Sequence, residues 1–334
     1  MTPPDPTRPD PTPPGPTPPG PRSDVQALID ACTANFPALG TEFTDIKDVR
    51  AFFAERARTA PPPPRLPALH RVTDLDADGV PVRVYDPAEA PQDDVTPVVV
   101  FFHGGGMVLC SLDSHDAFCR ELAADTGALV VSVDYRLAPE HPFPAAPDDA
   151  YTALLWAARN HPGRPLVVAG DSAGGNLAAV TALRARERGG PDLAAQHLYY
   201  PMLDPDRSSA SYEENAHGNF VTADHMRWYW QQYLPRPEQD ARDPRATPFA
   251  AAELGGLPPA FVVTAGLDPL RDEGRRYAEL LAAAGVTAEY HCYDEAFHGF
   301  LTMVGDAALP EAKAARAAAF AHLRSITSVT GVTR

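Results

Sequence analysis

The chain has 334 residues, 44% hydrophobic and 22% charged, the balance of a globular protein with enough apolar material for one large core. Its formal net charge is −16 and its isoelectric point about 5.0, which argues against a nucleic-acid partner and disfavours an anionic membrane surface. No run of about 18 apolar residues exists and the N-terminus lacks the apolar stretch of a signal peptide, so a soluble cytoplasmic chain with no membrane span is expected. Cys32, Cys110, Cys119 and Cys292 contain no C-x-x-C pair; reduced thiols are expected, with neither a zinc site nor a disulfide framework.

Residues 1–22 form a proline-rich tail whose density of proline predicts polyproline II or disorder rather than a packed element. Its P-x-x-P spacings suit a binding partner; the plainer reading is a solubilising tail. Residues 23–60 read as helices, with Ser23 capping one and Thr44 or Asp45 another. The cluster Pro61 to Pro64 then marks a hinge.

From about residue 80 strands alternate with helices. Residues 82–85 alternate like a half-exposed strand, whereas 98–102 and 128–133 are continuous apolar runs expected of strands buried on both faces. Residues 166–169 and 261–264 repeat that signal. Helices are expected at 114–126, 147–160, 173–188 and 271–284. The succession predicts an α/β fold, a parallel sheet with helices on both faces, built from 61–204 and 251–334. Residues 205–250 are too long for an ordinary connection and carry Trp228, Tyr229, Trp230 and Tyr233 on a helical stretch. They read either as a lid packing with the N-terminal helices or as a surface helix with a core-facing stripe.

The chemistry concentrates in four places. Gly170-Asp171-Ser172-Ala173-Gly174 is a G-x-S-x-G between an apolar strand and a helix, the context in which a serine hydroxyl projects from a tight turn at the sheet end. Phe102-His103-Gly104-Gly105-Gly106 caps another strand, and its glycine amides, with that of Ala173, are candidates to hold an oxyanion. Which two of Gly104, Gly105 and Gly106 do so is left open; His103 is expected to brace the loop. The absence of a following G-K-[ST] argues against a phosphate cradle. A serine needs a base, and His298, followed by a glycine at the end of the strand-like 288–293, is chosen over His291 and His322. Gly299 is expected to leave room for its ring. Asp268, after the strand 261–264, is the expected partner of that histidine. Asp272 and Glu273 are expected to cap the next helix, and Asp294 and Glu295 to lie in a turn too near His298. The order Ser172, Asp268, His298 is that of α/β-hydrolases.

With Val133-Asp134-Tyr135-Arg136-Leu137-Ala138-Pro139-Glu140-His141 added, these motifs resemble the bacterial hormone-sensitive lipase family of esterases from about residue 65 to the C-terminus. The resemblance implies an α/β-hydrolase fold with a mostly parallel eight-stranded sheet, a helical cap from residues 23–60 and the insertion 205–250, and short acyl esters as substrates without cofactor or metal. It also offers precedent for a homodimer through the exposed last strand near 287–293. One departure stands out: Met107-Val108-Leu109-Cys110-Ser111 has a cysteine where the family often has glycine. Its thiol is read either as a target whose modification lowers activity or as an inert buried group. The motifs leave lipase, arylesterase, lactonase, peptidase and amidase chemistry open on the same fold. A catalytically idle ligand-binding receptor is the rival from another class, and the presence of His298 argues against it.

Overall fold

Five apolar residues in succession, Val98–Phe102, form a strand with no exposed side chain, because helices cover both faces of the sheet to which it belongs. The computed structural model describes residues 21–37, 39, 43–59, 66–88, 96–305 and 308–326; the tail 1–20 and the Pro61–Pro64 hinge lie outside them. The strands are β1 (Arg71–Ala77), β2 (Val80–Asp86), β3 (Val98–Phe102), β4 (Leu129–Val133), β5 (Leu166–Asp171), β6 (Leu193–Tyr199), β7 (Ala260–Leu267) and β8 (Ala288–Phe297). They form one sheet in the order β1-β2-β4-β3-β5-β6-β7-β8, antiparallel across β1, β2 and β4 and parallel from β4 to β8.

The helices are α1 (Ser23–Ala34), α2 (Ile46–Thr59), α3 (Asp116–Thr126), α4 (Ala145–Asn160), α5 (Ala173–Arg188), α6 (Ala210–Glu214), α7 (Ala223–Tyr233), α8 (Pro237–Asp240), α9 (Arg271–Ala283) and α10 (Pro310–Ser325). Successive strand residues point to opposite faces. Val98, Val100 and Phe102 therefore pack with Leu154 of α4, Leu177 of α5 and Leu281 of α9. Val99 and Phe101 pack with Ile29 of α1, Leu122 of α3 and Phe320 of α10. No helix among the described residues is long and apolar enough to cross a membrane.

One local expectation is corrected and another is resolved. Ser23 lies inside α1 as its first residue, and Arg22 precedes it without a side-chain cap. Asp45 rather than Thr44 serves α2, accepting the Lys47 N–H at 2.8 Å. Strand β1 was not anticipated, because its edge position leaves Leu75 43% exposed and its apolar alternation weak. The Asp78-Gly79 pair was the available signal: both residues have positive φ, 57° and 91°, as a two-residue hairpin turn requires.

Residues 205–250 follow β6 and contain α6, α7 and α8. Phe220 meets the Phe36 ring edge-on at 5.3 Å, and the Trp228 indole N–H donates to the Thr44 carbonyl at 3.3 Å. The insertion thus packs against the N-terminal helical segment, and the aromatic stripe of α7 is buried.

Candidate active site

Ser172, Asp268 and His298 lie directly after β5, β7 and β8, and the glycine loop follows β3. All four segments therefore meet at the C-terminal edge of parallel strands, where open α/β sheets build their sites. Ser172 sits at φ 54° and ψ −118°, a left-handed conformation costly for a residue with a β-carbon, and precedes α5 without capping it through its side chain. The turn persists because Gly174 lets α5 pass close to β3: a β-carbon on it would overlap the Phe102 carbonyl oxygen.

The Ser172 hydroxyl lies 2.9 Å from His298 Nε2, and His298 Nδ1 lies 2.8 Å from Asp268 Oδ2. A carboxylate only accepts, so the Nδ1–H donates to Asp268 and leaves Nε2 as the acceptor for the serine proton. Asp268 is fully buried, and its other oxygen, Oδ1, accepts the Leu270 N–H at 2.9 Å. Both oxygens are thereby engaged, as a buried carboxylate requires. A register shift between Ala265 and Leu267 re-aims the chain just ahead of Asp268. The imidazole packs on Tyr200 at 4.9 Å between centroids.

Gly104, Gly105 and Gly106 share a cavity of about 1130 Å³ with Ser172 and His298. Among the described residues, no group accepts a hydrogen bond from the amides of Gly104, Gly105, Gly106 or Ala173. Buried N–H groups are rarely left orphaned, so a cluster of them beside a hydroxyl is a place for a developing negative charge. The rest of the cavity wall is largely apolar, with Phe36 and Phe53 from the N-terminal segment and Phe220, Met226 and Tyr229 from the insertion.

A family model of the alpha/beta hydrolase fold matches residues 99–302. The esterase LipI of Mycobacterium tuberculosis is 46% identical over 268 residues, 75% of this chain and 81% of its own length. The carboxylesterase NlhH of the same organism is 42% identical over 293 residues, 84% of this chain and 90% of its own. The solved structure of a hyperthermophilic esterase from the archaeon Pyrobaculum calidifontis has a TM-score of 0.79 at 41% identity, covering 90% of this chain and 97% of that one. The chain belongs to the α/β-hydrolase superfamily, in its hormone-sensitive lipase family.

Several site details of this α/β-hydrolase differ from the expectations. Gly299 does not make room for the histidine: nothing lies near where its β-carbon would be. Its φ of 87° is what calls for glycine. Asp272 and Glu273 do not cap α9. Asp272 accepts the Ser211 N–H at 3.0 Å, and Glu273 accepts the Leu203 N–H at 2.6 Å, so Glu273 holds the chain leading into the insertion and Asp272 holds its first helix. Burial raises the Glu273 carboxyl well above its usual range. Asp294 and Glu295 are exposed residues of β8 rather than of a turn. A pair missed altogether lies behind the nucleophile: His115 Nε2 is 3.1 Å from Asp171 Oδ1, and Ser114 Oγ is 2.9 Å from His115 Nδ1. Only the place of Asp171 beside Ser172 hinted at it.

His103 is fully buried, stacks on Tyr135 at 4.4 Å and donates from Nδ1 to the Gly104 carbonyl at 2.7 Å. Burial, followed by the neighbouring His115, pushes its pKa from 6.5 down to about 4. The folded chain thus keeps the ring neutral while the unfolded chain binds a proton below pH 6.5. This contribution is complete above pH 6.5 and falls by up to about 3 kcal/mol as pH drops toward 4. Urea unfolding at stepped pH is expected to show that slope, and His103→Asn, which can still donate to Gly104, is expected to reduce it, the remainder coming from His197 and His225, whose rings burial also holds below their usual range. An identical slope in the variant would remove His103 as its source.

Cys110 lines the cavity at φ 70°, which accounts for the family's frequent glycine at this place. Although the residue is open to the cavity, the surrounding protein pushes the thiol up to about 12. The thiolate is the reactive form, so N-ethylmaleimide is expected to modify Cys110 slowly at pH 7 and about tenfold faster per added pH unit, with loss of activity. Cys110→Ala is expected to remain active and resist the reagent; equal inhibition of the variant would assign the effect elsewhere.

Proposed function

We propose that this chain is a serine carboxylesterase acting on short-chain acyl esters. Ser172 attacks the ester carbonyl carbon while His298 Nε2 takes its proton, and Asp268 holds the imidazolium. The amides of Ala173 and of the loop Gly104 to Gly106 receive the oxyanion. The imidazolium then protonates the departing alkoxide, which leaves as the alcohol. Water, deprotonated by the same histidine, attacks the acyl-enzyme and releases the acid with Ser172 restored. The α1–α2 region and residues 205–250 act as the cap that walls the acyl pocket. The observation that carries this reading is the continuous line from Asp268 through His298 to Ser172 at 2.8 and 2.9 Å, opening on a cavity whose loop amides have no acceptor among the described residues. The names of the esterase relatives support it.

The test is turnover of p-nitrophenyl esters from acetate to palmitate. The optimum is expected at the short acyl chains, with Ser172→Ala lowering kcat about 10⁶-fold. Absence of turnover, or a preference for emulsified long chains, would overturn it. The outer position of β8 supports the further reading of a homodimer through that edge, which light scattering coupled to gel filtration tests.

A further inference from the structure

The three loop glycines are pressed from three different sides. Gly104 lies against the Asp171 carboxylate, Gly105 against the Leu109 carbonyl of its own loop, and Gly106 against the ring of Tyr229, which occupies the space a β-carbon would take. The first two contacts come from the strands and loops that carry the site. The third comes from α7, in the insertion far along the chain.

That helix is closed at its start and tied to neighbouring segments at two further places. Thr222 and His225 form a reciprocal capping box at its start, and Trp228, edge-on to Tyr229 at 5.4 Å, donates to Thr44. At its end the Tyr233 carbonyl accepts the Phe143 N–H at 2.9 Å. Tyr229 itself is buried, and its hydroxyl makes no hydrogen bond to a described residue, so the ring alone carries the contact.

Gly105 and Gly106 have φ of 106° and 64° and lack the side chains that would narrow their conformations. Amides stabilise an oxyanion only when held in place beforehand. We propose that Tyr229 is a positioning residue for the oxyanion loop, its ring wedging Gly106 so that the cap insertion holds the loop amides toward Ser172. The inference rests on the esterase reading and goes further in making the cap part of the catalytic arrangement rather than only a pocket wall.

The test compares Tyr229→Phe, Tyr229→Leu and Tyr229→Met in the full chain on p-nitrophenyl acetate, butyrate and hexanoate. Tyr229→Phe is expected to keep kcat within about twofold, whereas Leu and Met lower kcat about tenfold or more on all three esters with KM changed less than about threefold. Circular dichroism and melting curves identify the folded variants. Unchanged kcat with a shifted chain-length preference would reduce Tyr229 to a wall of the pocket and overturn the proposal. So would failure of both Leu and Met variants to fold beside a folded Phe variant, which marks a purely structural role. If the unmodified chain turns over no ester, the esterase reading falls and takes this one with it. If it does and Tyr229→Leu keeps its kcat, only the positioning role falls.

Discussion

Replacing Asp268 by Asn is expected to lower kcat about ten-thousandfold while the fold persists. The reason lies in how the carboxylate is shared. Oδ1 accepts the Leu270 N–H at 2.9 Å, and Oδ2 faces His298 Nδ1 at 2.8 Å. A carboxamide has one oxygen, and the backbone amide of Leu270 claims it. The amide NH₂ then points at His298 and can only donate. The imidazole must present an unprotonated Nδ1 to it and carry its proton on Nε2, where it can no longer accept the proton of Ser172. Shape and burial hardly change, so the melting temperature should stay close to that of the unmodified chain. Steady-state kinetics with p-nitrophenyl butyrate measures the effect, and a fall smaller than about a hundredfold would show that another carboxylate orients the base.

Replacing Gly174 by Ala is expected to destabilise the chain by about 3 kcal/mol and to depress activity further than lost folded protein explains. Alanine is the better helix former by about 1 kcal/mol, so propensity alone predicts a gain. Geometry outweighs it. The added methyl would overlap the Phe102 carbonyl oxygen and lie 2.5 Å from the carbonyl carbon and 2.7 Å from the His103 carbonyl oxygen. All three are backbone atoms at the end of a buried strand and have no rotamer to yield. Relief requires α5 to move away from β3, which would carry Ser172 away from the glycine loop. Urea unfolding gives the stability change, and activity per folded molecule gives the second effect. A variant as stable as the original would mean that the helix and strand separate without cost.

The sheet was legible because strands buried on both faces must be apolar throughout. The runs 98–102, 128–133, 166–169 and 261–264 all sit within or beside β3, β4, β5 and β7. Strand β1 escaped because an exposed edge strand needs no such run, and Ser23 misled because helix propensity does not tell the residue before a helix from its first residue. The rim positions of Ser172, Asp268 and His298 were legible from strand ends and chain order, since a parallel sheet brings its strand ends to one rim whatever the loops between them do.

What the amino-acid order determined by itself was therefore local and periodic: strand and helix identity, the glycines at tight approaches, and the residue types at the sheet rim. Only the tertiary structure decided which groups touch. The sharing of Asp268 between Leu270 and His298, the His115–Asp171 contact and the close approach of Tyr229 to Gly106 each join segments through space. Contacts of that kind depend on how the helices and insertion pack against the sheet, and no periodicity along the chain encodes them.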